Sequence, residues 1–152
     1  DLAIFFDDLK ATFRMLLRLQ KNELQINLDI ESHKVARIDR TLLAQLLNNL
    51  LMNKMNCLKE QTVTVDCSLS STHSDGSGTL LIITIEDEGP AFPDYILQEF
   101  DQDSDLQGLL EVRRNSGLGL PICRRIVSVM GGELKFFNDS PKTRIRVWLP
   151  LG

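Results

Sequence analysis

Long apolar runs are missing from this chain: no uninterrupted hydrophobic stretch approaches the roughly 20 residues that a helical membrane span needs, and no signal-peptide pattern is visible. Cysteine is scarce and scattered. Cys57, Cys67 and Cys123 form no CxxC pair, and His33 and His73 have no Cys/His neighbours. That spacing excludes a metal-ligand motif, and an odd count of dispersed thiols suggests a reducing compartment. Each cysteine reads as a small buried hydrophobe. A basic excess is also absent. The net charge of −4 leaves no global field to recruit nucleic acid or acidic lipid, so neither is expected as a partner, and Arg113-Arg114 and Arg124-Arg125 read as local solvated faces. What is present, 43% hydrophobic and 25% charged residues in a chain of 152, suffices to bury one core without staples. A single domain over residues 1–152 is expected. The chain opens in a helical pattern without Met, and we read it as a piece of a larger receptor.

Hydrophobic periodicity sets the elements. Leu2, Phe5, Phe6, Leu9, Phe13, Leu16 and Leu17 lie on one face of a helix from Asp1 to about Gln20. Leu24 to Ile30 alternates, which predicts a strand with Ile26, Leu28 and Ile30 inward. Val35 to Ile38 could pair as a short strand. Asp39 caps a helix that continues to about Leu58. Thr62 to Leu69 alternates again, with Val63, Val65, Cys67 and Leu69 on one face. Residues 70–78 are rich in Ser and Gly and read as a turn. Thr79 to Ile85 is a continuous β-prone run, suited to a central strand. A polar stretch leads to a short helix, Pro121 to Met130, stopped by Gly131-Gly132. Glu133 to Phe137 and Thr143 to Leu149 form a last hairpin that turns at Asn138-Asp139-Ser140-Pro141. The order predicts an α+β two-layer sandwich, a mostly antiparallel mixed sheet with helices on one face.

Three features carry chemistry. Gln45, Asn49, Asn53 and Asn56 share one face of the second helix, opposite Leu43, Leu46, Leu47, Leu50 and Leu51. Asn is a mediocre helix former. A run of Asn on one face is either a solvated surface or a set of hard amide-oxygen ligands for Mg²⁺ and polyphosphate. Asp87-Glu88-Gly89 follows the apolar strand. A carboxylate there accepts the exocyclic amine of adenine and rejects the carbonyl of guanine, and Gly89 lets the backbone approach the ring; the alternative is an ordinary Asp-Gly turn. Ser116-Gly117-Leu118-Gly119-Leu120 precedes a helix, where free N–H groups and the helix dipole attract an anion. The polar stretch 101–116 before it reads as a lid.

In this order the features resemble the nucleotide-binding (Bergerat-type) fold shared by gyrase, the Hsp90 chaperones and histidine kinases. Residues 39–53 are similar to the histidine kinase N box. Ser116 to Ile122, followed by Ile126-Val127 and Met130-Gly131-Gly132, resemble its G2 box. The resemblance implies ATP and Mg²⁺ as cofactors, Asn53 as the Mg²⁺ ligand and Asn49 facing the phosphates. It places Asp87 on adenine with Thr143 in support, and Gly117, Leu118 and Gly119 at the phosphates. Hydrolysing members carry a Glu where this chain has Asn49. An amide takes no proton at neutral pH, so no residue of this chain is expected to act chemically beyond positioning ATP. The resemblance implies a phosphoacceptor His on a separate dimerisation domain and a response regulator as partners. It implies a homodimeric receptor in the inner or plasma membrane, with this domain on the cytoplasmic side.

Four positions depart from the kinase pattern. Lys54 stands where Ala is usual and Asn56 where Lys is usual. Ala91 replaces the second glycine of the Asp-x-Gly-x-Gly motif, and Asn115 the first glycine of the G2 box. Lys54 either replaces the missing phosphate cation, from a different helix face, or crowds the pocket. The departures keep a second reading open: a degenerate pseudokinase or phosphorelay scaffold with weak or no ATP binding. An anti-sigma type serine kinase and a pure interaction domain are the remaining alternatives.

Overall fold

A computed structural model describes residues 1–30, 37–71, 78–97 and 120–151. Helix α1 spans Leu2–Gln20. Asp1 caps it by accepting from Ala3 N at 2.8 Å, and Lys21 ends it in the left-handed conformation with φ 56°. Its inward residues Phe5, Phe6, Leu9 and Phe13 are buried. Strand β1 (Glu23–Asp29) follows, then helix α2 (Arg40–Cys57), capped by Asp39 Oδ1 accepting from Leu42 N at 3.0 Å. Strands β2 (Thr62–Ser71) and β3 (Thr79–Asp87) form the centre of the sheet. The one-turn helix α3 (Asp94–Leu97) and helix α4 (Leu120–Val129) precede the hairpin of β4 (Glu133–Asp139) and β5 (Lys142–Leu151).

The five strands run in the order β1-β2-β3-β5-β4. Among the described residues only β1 and β2 are parallel, joined through α2; the other three pairings are antiparallel. Parallel neighbours require a crossover element, and α2 supplies it. Burial alternates along the strands. Val63, Val65 and Cys67 of β2, Leu81, Ile83 and Ile85 of β3, and Ile145, Val147 and Leu149 of β5 are all nearly or fully buried. They meet Leu43, Leu46, Leu47, Leu50 and Leu51 of α2 in one core. Period-two strands facing a helix stripe are what the residue pattern requires. The result is the two-layer α+β sandwich expected from the sequence, with β3 central. Burial pushes the Cys67 and Cys123 thiols up to about 12, so both are inert packing groups.

Two expectations need adjustment. In β1, Leu24 is buried but Leu28 is 37% exposed. β1 is an edge strand, and its other inward residues Ile26 and Ile30 are only partly buried against the core. Arg37 and Ile38 form no strand, and residues 31–36, 72–77 and 98–119 lie outside those described. The helix stop at Gly131-Gly132 holds: Gly131 has φ +76° and Gly132 N bonds Val127 O at 2.9 Å. A Cβ on Gly132 would collide with the Trp148 carbonyl oxygen.

Buried Asn22 ties the α1–β1 turn to the α2–β2 connection. Its Nδ2 donates to Leu58 O at 2.9 Å and its Oδ1 accepts from Gln61 N at 3.0 Å. On the open face of the sheet, Glu86 accepts from Lys142 Nζ and Arg144 Nε, each at 2.9 Å. The Lys142 hydrogen bond, aided by Arg144, holds the Glu86 carboxyl below its ordinary range near 4.5. A carboxyl depressed by folding stabilises the fold above its unfolded pKa, and that contribution fades as pH falls through the folded value. Glu86→Gln therefore flattens the loss of melting temperature between pH 5 and 3. Parallel melting curves across that range check it; coincident acid limbs for the two proteins would refute it.

Candidate functional site

Asp87 is the last residue of β3, and Thr143 sits directly opposite it on β5. They are 3% and 2% exposed. Thr143 Oγ1 donates to Asp87 Oδ1 at 3.0 Å, and the Gly89 N–H donates to the same oxygen at 2.7 Å. Gly89 has no room for a side chain: a Cβ there would run into the Leu58 side chain and stand 2.8 Å from Asp87 Oδ1. The glycine thus shapes the turn that fixes the carboxylate.

Lys54 of α2 completes the cluster. Only 7% exposed, it brings Nζ to 2.9 Å from Asp87 Oδ2 and donates to Thr143 Oγ1 at 3.0 Å. The ammonium also lies 4.1 Å from the centroid of the Phe92 ring, within cation–π range. Burial pulls the Lys54 pKa below its ordinary 10.5, against the opposing attraction of Asp87. Oδ1 thus accepts from Thr143 and Gly89, while Oδ2 pairs with the Lys54 ammonium. The Lys54 side chain turns inward onto Asp87 and lines the cavity beside it.

A cavity of about 180 Å³ lies beside the cluster, lined by Asn53, Lys54, Asp87 and Phe92 together with apolar residues of α2, α4, β4 and β5. That is below the ~300–1,000 Å³ usual for small-molecule sites. Asn53 lines it. Asn49, one turn earlier, is half-buried and does not; Gln45 and Asn56 are exposed. The structure therefore brings Asn53, Lys54, Asp87, Gly89 and Thr143 together. Gly117, Leu118, Gly119 and the lid stretch lie outside the described residues.

Two contributors carried no sequence signal. Phe92 closes one side of the cavity and meets Phe136 edge to face, with centroids 5.2 Å apart. It is held by Asn138, whose Oδ1 accepts from Phe92 N at 2.8 Å and whose Nδ2 donates to Phe92 O at 2.9 Å. Asn138 was placed only in a hairpin turn. Nothing in its neighbourhood announces that its amide grips a segment far away in sequence.

As candidate ligands, ATP and Mg²⁺ can be tested against these atoms. Asp87 Oδ2 suits an amine donor from a purine, but the Lys54 ammonium already stands against it. Asn53 offers one hard amide oxygen to a cation. Among the described residues no group of three or more His, Cys, Asp or Glu is placed to hold a metal by itself, so phosphate oxygens would have to supply the rest of a Mg²⁺ shell. No described helix is long and apolar enough to cross a membrane.

Comparison with known proteins gives the frame for these atoms. Sensor protein EvgS of Escherichia coli K12 is 29% identical over 102 residues, 67% of this chain and 8% of EvgS. Sporulation kinase C of Bacillus subtilis is 29% identical over 115 residues, 74% of this chain and 24% of that protein. The chain thus spans a quarter or less of these relatives. Among solved structures, the catalytic domain of histidine kinase ThkA superposes with a TM-score of 0.73 at 19% identity, covering 99% of this chain and 92% of that one. Histidine kinase AdeS of Acinetobacter baumannii superposes with 0.73 at 19% identity, covering 100% and 66%. The fold is that of histidine kinase catalytic domains. A family model described as "Histidine kinase-, DNA gyrase B-, and HSP90-like ATPase" matches residues 38–152, about three quarters of the chain and every residue of the cluster, and the chain belongs to that family.

Proposed function

We propose that this chain is the ATP-binding catalytic domain of a two-component sensor histidine kinase. It holds ATP between α2 and the sheet and presents the γ-phosphate to a histidine on a separate dimerisation domain. The observation that carries the reading is the buried Asp87 carboxylate, clamped by Thr143 and Gly89 beside a cavity that Asn53 also lines. Bound ATP would supply the phosphoryl group. Asp87 would read the base, Thr143 and Gly89 would fix the carboxylate's orientation, and Asn53 would offer its amide oxygen to Mg²⁺. No carboxylate stands one turn before Asn53, so nothing in α2 activates water there, and transfer depends on a nucleophile from outside. A response regulator acting downstream, and a homodimeric receptor in the inner or plasma membrane with this domain on its cytoplasmic side, complete the proposal. One solved neighbour, ThkA in complex with response regulator TrrA, with a TM-score of 0.73 at 18% identity, motivates the first of these.

Lys54 favours a second reading, a degenerate kinase module that serves as a phosphorelay scaffold. Its ammonium on Asp87 competes with the base, and Asn56 leaves a phosphate-countering cation missing. Calorimetric titration with ATP, with and without Mg²⁺, of wild type beside Asp87→Asn decides the first step. Saturable binding that weakens at least about tenfold in Asp87→Asn is expected; no heat at millimolar nucleotide would remove the kinase reading. Phosphate transfer from labelled ATP to a matched dimerisation helix, added as a separate chain, then divides kinase from scaffold.

A further inference from the structure

We propose that Lys54 determines what this pocket accepts: its ammonium occupies the place on Asp87 that a purine's exocyclic amine must take, so an adenine nucleotide binds only by displacing it. The inference rests on the reading of this cavity as a nucleotide site and adds the residue that controls entry to it. Three observations converge. Lys54 approaches from α2 while Asp87 and Thr143 belong to neighbouring strands, so the contact bridges the two layers at the mouth of the cavity. The Phe92 ring covers the ammonium at 4.1 Å, and Asn138 pins Phe92 by both its backbone groups. The cation is therefore enclosed by polar and aromatic partners as a ligand would be, on a residue whose helix neighbour Asn53 lines the same cavity.

The lysine's hold on Asp87 Oδ2 is a single 2.9 Å contact. A planar amine arriving from the cavity competes for the same oxygen, and Lys54, on a flexible four-carbon stem, then gives up its contacts with Thr143 and Phe92. Displacement is thus chemically available, though adenine must first outcompete a charge. A base that presents a carbonyl at this edge faces a different situation. It accepts from the ammonium in place, so guanine gains nothing from removal of Lys54. Wild type consequently discriminates weakly between adenine and guanine nucleotides, and loss of Lys54 restores discrimination.

The experiment is calorimetric titration of wild type and Lys54→Ala with ATP and with GTP in the presence of Mg²⁺, after melting curves confirm that the variant folds. ATP affinity is expected to rise at least about tenfold in Lys54→Ala, with GTP affinity unchanged or lower. If wild type binds ATP and the variant binds it no better, the inference fails and the reading of the site stands. If neither protein binds, the reading fails and the inference with it. A second measurement uses the wild type alone: acylation of Lys54 by an amine-reactive ester, followed by mass spectrometry with and without saturating ATP. Nucleotide should expose Lys54 to the reagent. Protection that persists or deepens in the nucleotide-bound protein would overturn the inference, even if Lys54→Ala does not fold.

Discussion

Asp87→Ala should lower the free energy of unfolding by about 3–5 kcal/mol, the range for breaking a buried ion pair by removing one partner. The Lys54 and Asp87 side chains are 9% and 0% exposed, so water cannot take over from the missing carboxylate. The ammonium would be left against Phe92 and the apolar wall of the cavity, with Thr143 as its remaining acceptor. The double variant Lys54→Met, Asp87→Ala should recover a large part of the loss. Methionine keeps the unbranched stem and removes the charge, and replacing both partners of a buried pair by apolar groups is often close to neutral. Urea unfolding of wild type, the single variant and the double variant measures both numbers. A loss under about 1 kcal/mol in Asp87→Ala would place this pair with solvated ones. Arg40–Asp8, with both side chains about two-thirds exposed, is the reference: its removal should be barely measurable.

Several parts of this molecule were legible in the residues because local rules decide them. The leucine stripe of α2, the alternation of β2 and the apolar run of β3 each report which face meets the core, and the burial follows. Asp39 as a cap and Gly131 as a stop follow from backbone hydrogen bonding within a few residues. Asp87 and Thr143 were legible through the family resemblance, and the register of β3 with β5 sets them side by side. Leu28 was misjudged because alternation gives the face a residue takes and not how far an edge strand's residues are covered. Lys54 was harder. Lysine is almost never buried without a partner, and its partner lies on another element, so helix periodicity gave two roles and no means of choosing. Asn138 and Phe92 are 46 positions apart. Their double hydrogen bond exists only once the hairpin and the turn after β3 are both in place.

The family match begins at residue 38, which leaves α1 and β1 outside it, yet these elements are integral to the core. Phe5, Phe6, Leu9 and Phe13 of α1 belong to the same buried cluster as the leucines of α2 and the inner residues of β2 and β3. β1 pairs with β2 along its whole length, from Glu23 with Thr62 to Asp29 with Ser68. Asn22 and the Glu60 N to Gln20 O bond of 3.0 Å lock the corner between them. Phe13 is 1% exposed, and truncating a fully buried phenylalanine costs about 3–5 kcal/mol through lost transfer energy and the cavity left behind. Phe13→Ala should therefore destabilise the whole domain by that amount, in one cooperative transition followed equally by far-ultraviolet circular dichroism and by Trp148 fluorescence. Trp148 lies on β5, well away from α1 in the strand order. An α1 that melted first, with Trp148 unmoved until a second transition, would show that the helix is an appended segment. Coincident curves mean that the first 37 residues share the stability of the nucleotide-family core. A fragment cut at residue 38 would then lose both α1, whose phenylalanines share the buried core, and the strand beside β2.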